Sequence, residues 1–251
     1  MDLELTGRRA VVTGGSRGIG KAVALALCRE GVDVALFARD QTRLDAAARE
    51  ISQLTGRRVE GFAVDTGSEP SVIEGVHNMV QSFGGVEILV NAAAKPGGQS
   101  VPPTYDQVTT EAFFEDMNVK VMGYLRCAQQ VAPHMINAGW GRIINISGLA
   151  ARQAGTVIGS VRNVAVSALT KNLADALGPY NINVTVVHPA TTVTEATTPE
   201  MLSRPATNVI GRMITASEVA DVVTFLASPK SIAITGDAIA VGGGVPRSIY
   251  Y

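Results

Sequence analysis

The stretch Thr13-Gly14-Gly15-Ser16-Arg17-Gly18-Ile19-Gly20 constrains the fold of this chain more than any other. It follows the apolar run Ala10-Val11-Val12 and leads into a segment of helical character from Lys21 to Arg29. A strand, a glycine-rich turn and a helix, in that order, make an anion site. Small residues let a phosphate approach the backbone, the first-turn N–H groups point at it, and the helix dipole favours its charge. The spacing is G-x-x-x-G-x-G rather than the commoner G-x-G-x-x-G of dinucleotide folds.

The rest of the chain alternates in the way such a turn requires. Apolar strand-like runs fall at residues 9–13, 32–38, 58–64, 87–90, 141–146, 183–187 and 238–241. Between them lie helical patterns at 18–30, 41–54, 68–83, 109–138, 161–177 and 217–226, with a bend expected near Pro133. Asp40 and Ser68 are suited to cap two of these helices. Continuous apolar strands imply helices on both faces. The expected fold is therefore α/β: a Rossmann-type, doubly wound parallel sheet of about seven strands, in a single domain spanning 1–251. Segment 191–215 is polar, contains Pro199 and Pro205, and is expected to cover a substrate.

Composition narrows the setting. Hydrophobic residues make up 46% and charged residues 17%, so the chain can bury a large core. A net charge of −1 gives no global field for nucleic acid or an anionic membrane. The N-terminus lacks a basic stretch followed by an apolar run, and no apolar run reaches membrane-spanning length, so a cytoplasmic, reducing setting is expected. Cys28 and Cys127 sit in apolar helical patterns and read as core residues. The three histidines show no metal-ligand spacing, and no metal is expected. His188 reads as a packed core residue and Lys120 as a surface one.

The second strand ends Phe37-Ala38-Arg39. A carboxylate near this place recognises the ribose 2′-OH of NAD. Ala38 offers none, whereas the Arg39 guanidinium suits a 2′-phosphate, and Arg17 adds a second positive charge. Together they favour NADP(H) over NAD(H).

These features come with a series of ordered blocks. They are Asp65, Leu89-Val90-Asn91-Ala92-Ala93-Ala94, Asn118, Gly141-Arg142-Ile143-Ile144-Asn145-Ile146-Ser147, Leu169-Thr170-Lys171-Asn172-Leu173-Ala174, His188-Pro189-Ala190, Ile234-Thr235-Gly236 and Val241-Gly242-Gly243-Gly244. With them the chain resembles a short-chain dehydrogenase/reductase over nearly its whole length. The resemblance implies a cofactor cradle at Gly14, Ser16, Arg17, Gly18, Ile19 and Gly20. It implies that Asp65 and Thr66 meet the adenine, that Asn91, Ala92 and Ala93 line the nicotinamide ribose, and that Thr192 and Thr194 face the carboxamide. It also implies a small-molecule substrate and a homo-oligomer, a dimer or tetramer, formed through the helices holding Asn118 and Asn163. Two departures add methyl groups near the cofactor: Ala92 and Ala94 stand in a block the family usually reads Asn-Asn-Ala-Gly, and Ala190 follows Pro189 where it usually reads Pro-Gly.

The resemblance breaks at the chemistry. Similar enzymes use a Tyr phenol as acid, a Lys four residues later, a Ser and an Asn. Here the Ser position falls on Gly148, the Tyr on Gly159 and the Lys on Asn163, and only Asn118 is retained. General acid–base assistance is typically worth about 10²–10⁴-fold, so ordinary ketone reduction should be poor. Ser147 is expected to face the opposite side of its strand; Ser160 and Arg162 lie off the required helix face; Lys95 and Tyr105 lie in a loop able to reach in. The functions open at this point are an atypical NADP-dependent oxidoreductase, a non-redox lyase, isomerase or cyclase, and a catalytically silent nucleotide-binding subunit.

Overall fold

The structure, a computed structural model, describes residues 1–94, 103–203, 205–247 and 249. The first half runs β1 (Arg9–Thr13), α1 (Gly18–Arg29), β2 (Asp33–Ala38), α2 (Gln41–Thr55), β3 (Val59–Ala63), α3 (Glu69–Phe83) and β4 (Ile88–Asn91). After α4 (Thr110–Met117) come a single π turn (Asn118–Met122), α5 (Gly123–Ala138), β5 (Gly141–Ile146), α6 (Val157–Leu177) and β6 (Ile182–Pro189). The chain closes with β7 (Thr192–Val193), α7 (Pro199–Leu202), β8 (Ile214–Thr215), α8 (Ala216–Leu226) and β9 (Ala238–Val241).

Seven strands form one parallel sheet in the order β3-β2-β1-β4-β5-β6-β9. This is the doubly wound α/β fold expected from the apolar runs. Neighbouring strand residues point to opposite faces. Val12, Val90, Ile144 and Val187 pack with α1 and α8 through Val23, Leu27, Val219 and Val223. Val11, Leu89, Ile143 and Val184 pack on the other face with Val76, Met79, Cys127, Val131 and Met135. Both cysteines are buried free thiols, each pushed up to about 12 by burial, which makes them inert core residues.

The direction of strand order reverses between β1 and β4, which lie side by side with Thr13 opposite Asn91. Thr13 Oγ1 accepts from the N–H groups of Ala92 and Ala93 at 3.0 and 3.1 Å, tying the two strand ends together. The carboxyl ends at such a switch point frame a ligand crevice. Gly14 must be glycine there: its φ is +69°, and a Cβ would sit 2.9 Å from Ala92 O.

Three expectations need correction. The 109–138 helix is not uniformly α-helical, and Pro133 lies inside its last α segment, α5. The break is the π turn at Asn118–Met122, where one extra residue enters the helical path and rotates the faces beyond it. The helix expected at 161–177 begins earlier, at Val157, where Thr156 accepts from Gly159 N and caps it. Segment 191–215 is not wholly irregular: β7 and β8 pair in parallel, and α7 lies between them.

Candidate functional site

The glycine turn delivers α1 with its N-terminus open. Arg17 at the cap position makes no capping bond through its side chain, and the first turn holds no acidic residue. By contrast Asp40, Thr156 and Thr215 cap α2, α6 and α8. One first-turn donor is nonetheless used. Gly18 N donates to Glu195 Oε2 at 2.9 Å, so a carboxylate from the segment after β7 stands on the N–H that a phosphate oxygen would take. Thr194 lies beside it, its Cγ2 facing Gly18. An anion thus already stabilises this helix end. Arg17 and Arg39 are exposed, and neither forms an ion pair among the described residues.

The other cofactor-side residues divide between exposed and committed groups. Ser16, Gly18, Ile19, Ala92 and Ala93 are half-buried at the crevice, and Gly20 is buried against Gly14 O. Asn91 is fully buried, with Nδ2 donating to Asn145 Oδ1 at 2.9 Å, and Asn145 Nδ2 donating to Thr170 Oγ1. Its side chain ties β4 to β5 and α6, which leaves backbone and the two alanines to line the crevice. Asp65 Oδ1 accepts from Gly67 N, while Thr66 is buried with its hydroxyl donating to Val119 O. Thr192 Oγ1 donates to Ala190 O, and Thr194 N donates to Thr197 Oγ1.

Asn118 is occupied too. Its Nδ2 donates to Gly67 O at 2.9 Å, and its Oδ1 accepts from Arg126 Nη2 at 2.8 Å. The side chain therefore braces the turn after β3 rather than reaching toward position 148.

Gly148 follows β5 in extended conformation, and a Cβ there would lie 3.1 Å from Asn163 Nδ2. Gly159 lies in the first turn of α6, with its N–H bonded to Thr156. Asn163 is buried on the same helix. Ser147 does not face away from the site: its Oγ donates to Asn163 O at 3.0 Å and approaches Asn163 Oδ1 at 3.2 Å. Lys120 is not a surface residue. It is 4% exposed, and Nζ donates to Ser147 O at 3.1 Å and Asn163 Oδ1 at 3.0 Å. Burial, with the Arg162 charge, pushes its ammonium down to about 7 against the partial opposition of Asp116.

The neighbours of this cluster are committed. Arg162 Nη1 donates to both oxygens of Asp116, at 2.9 and 2.7 Å. His188 is buried, as expected; burial, Arg152 and Lys120 hold it down to about 4, so it is neutral at physiological pH. Tyr124 OH donates to Ile146 O, and burial raises its pKa. Ser160 bonds back to Gln153 O, and Tyr105 is 84% exposed. Lys95 lies outside the described residues. Among the described residues no three His, Cys, Asp or Glu side chains converge as a metal site, and no helix is long and apolar enough to cross a membrane.

Glu195 carries no signal in the sequence, and Lys120, expected at the surface, is buried instead. A signal existed for Lys120: it is the lone charge in Val119-Lys120-Val121-Met122-Gly123-Tyr124-Leu125.

Residues 8–204 match the short chain dehydrogenase family. The chain belongs to that family. It is 32% identical over 250 residues to the short-chain reductase protein NovJ of Streptomyces niveus, covering 94% of this chain and 93% of that one. It is 31% identical over 251 residues to a 3-oxoacyl acyl-carrier-protein reductase of Aquifex aeolicus, covering 98% and 100%. Its structure is similar to L-sorbose reductase of Gluconobacter frateurii, solved with NADPH and L-sorbose, with a TM-score of 0.89 at 28% identity, covering 99% and 100%.

Proposed function

We propose that this family member is an NADP(H)-binding oxidoreductase that acts on a small organic substrate through an atypical proton-donating system. The observation that carries the reading is the anion position at the open end of α1, where Gly18 N already holds the Glu195 carboxylate. Arg17, at the cap of α1, and Arg39, just past the end of β2, form no ion pair among the described residues. In this reading Gly14, Ser16, Arg17, Gly18, Ile19 and Gly20 hold the pyrophosphate and Arg39 the 2′-phosphate. Asp65 and the backbone of Thr66 bound the adenine; Asn91, through its backbone, with Ala92 and Ala93 bounds the nicotinamide ribose; Thr192 and Thr194 lie over the nicotinamide end. When bound, NADPH supplies a hydride. The relative solved with NADPH and L-sorbose, which covers the whole of its own chain in the match, supports this assignment of the crevice.

The atypical part rests on Gly148, Gly159 and Asn163, which stand where the family's Ser, Tyr and Lys belong and bring neither an acid nor a cation. Segment 191–215, with Thr194 and Glu195 on the glycine turn, is the cover of the substrate side. The helices α4 and α6 also expose apolar residues: Phe114 at 65%, Val161 at 42% and Val164 at 51%. This patch suits a homo-oligomer, a dimer or tetramer. Sedimentation of the wild type against V161D/V164D tests it, and an unchanged mass refutes it.

The central test is titration with NADPH and NADH, followed by a panel of ketones, enones and imines, with dihydronicotinamide absorbance as the readout. NADPH binding tighter than NADH, with turnover of at least one substrate, is expected. No nucleotide binding overturns the reading. Turnover without any nucleotide would establish the non-redox alternative.

A further inference from the structure

The family's α6 lysine position holds an asparagine here, yet an amine still arrives at the same place. It comes from the π turn between α4 and α5. Lys120 Nζ touches two groups: Ser147 O, one residue before Gly148, and Oδ1 of Asn163 itself. A lysine ammonium has three donors. Two are spent on these bonds, and the third has no partner among the described residues. Asn163 Nδ2, which lies toward Gly148, likewise makes no hydrogen bond among them. We propose that Lys120 is the general acid of this site, delivering to the substrate oxygen the proton that a family tyrosine would otherwise supply, with Asn163 Nδ2 polarising that oxygen. The proposal rests on the oxidoreductase reading above.

Why should a lysine be buried here without a carboxylate? The charged groups around it give no structural reason. Asp116 on α4 is paired to Arg162 of α6, Arg152 lies beyond β5, and His188 on β6 is neutral. Tyr124 on α5 is engaged with Ile146 O. A buried ammonium that neutral acceptors alone satisfy is costly, and such arrangements concentrate at functional sites. The same environment holds its proton near neutrality, which is the condition for efficient acid catalysis at physiological pH. The π turn is what aims the side chain inward, and π turns recur at functional sites.

The reduction balances. Bound NADPH would supply a hydride, which carries both electrons, to the carbonyl carbon; the C=O π pair would move to oxygen, and that oxygen would take a proton from the Lys120 ammonium. The free amine then regains a proton from water.

The test compares wild type, K120M and K120R by NADPH titration, by the pH profile of kcat with a 1,2-diketone, and by NMR titration of the lysine ε-carbon. Arginine keeps the charge and can donate the hydrogen bonds, but does not release a proton. Both variants should bind NADPH within about threefold of wild type and lose about 10²-fold or more in kcat. In the wild type the Lys120 signal should titrate near neutrality, and kcat should fall as pH rises through that midpoint. Activity retained in K120R, or binding of NADPH with no diketone reduction by the wild type, overturns the proposal. A Lys120 midpoint in the ordinary lysine range does so whether or not NADPH binds. Absence of NADPH binding by the wild type instead overturns the oxidoreductase reading.

Discussion

Glu195 Oε2 accepts from Gly18 N at 2.9 Å, which puts a negative charge on the N–H group that opens α1. A pyrophosphate entering the crevice must displace that carboxylate or share the helix end with it. A charge at a helix N-terminus contributes about 0.3–1 kcal/mol. Replacing Glu195 with Gln removes the competing charge and keeps the shape. E195Q is therefore expected to bind NADPH about 2- to 5-fold more tightly at low salt. The gain should shrink as salt rises. Calorimetric titration at two ionic strengths checks it, and an unchanged or weaker affinity refutes the competition.

Lys120 makes stability depend on pH in a defined direction. Its folded pKa, about 7, lies below the ordinary 10.5. Between these values the unfolded chain binds the proton and the folded chain does not. Stability must therefore rise with pH across that window, by up to about 1.4 kcal/mol per unit. Below pH 7 the full penalty of the buried charge remains. Urea melts of wild type and K120M between pH 7 and 10 should show a rising difference in favour of the wild type. Parallel curves would mean that Lys120 titrates normally.

His188 acts in a different window. Its folded pKa, about 4, lies below the ordinary 6.5, so the unfolded state takes up the proton first as pH falls. Stability should drop between pH 6.5 and 4 and flatten below. In H188Q that part of the acid loss should disappear. Thermal melts through this range measure it, and a variant that tracks the wild type would count against a neutral, buried His188.

Much of this arrangement was legible in the sequence. The sheet was readable because strands covered on both faces are continuous apolar runs, and the turn at 13–20 marked where order reverses. The inward aim of Lys120 was not. Helical periodicity assumes about 3.6 residues per turn throughout, and the extra residue at Asn118–Met122 breaks that count without a marking Pro or Gly at its start. Ser147 turns inward for a related reason: strand alternation stops where β5 ends at Ile146, so the next side chain is free to turn toward Asn163. Asn91 and Asn118 have the residue types of a ligand site, but their partners Asn145 and Gly67 lie 54 and 51 residues away, and Arg126 lies 8 residues away, beyond any local pattern.

In the proposed reading, Arg39 binds the 2′-phosphate. A hydrogen bond to a charged group contributes about 1.5–3 kcal/mol. R39A should thus weaken NADPH binding by about 10-fold or more while leaving NADH binding within about twofold. The ratio of the two dissociation constants, measured on one preparation, is the readout. A proportional loss for both nucleotides would place Arg39 at the pyrophosphate or at the fold rather than at the 2′-phosphate.

The geometry also makes Lys120 and a lysine at 163 mutually exclusive. Lys120 Nζ lies 3.0 Å from Asn163 Oδ1, so N163K would set two ammonium groups in one buried space. That single variant should lose more than about 2 kcal/mol of stability, since a buried charge without a partner is heavily penalised. K120S in the same chain should restore most of it, a coupling well above the roughly 0.5 kcal/mol expected of independent sites. Position 159 adds a smaller obstacle, because a Cβ there would lie 2.5 Å from Thr156 Oγ1 and displace the cap of α6, worth about 1 kcal/mol. In the proposed reading, the family's acid set can therefore be installed only if Lys120 leaves. G148S/G159Y/N163K/K120S should fold and reduce ketones faster than G148S/G159Y/N163K. Equal stability and equal rates in the two chains would show that the amine of Lys120 does not occupy the space of the α6 lysine.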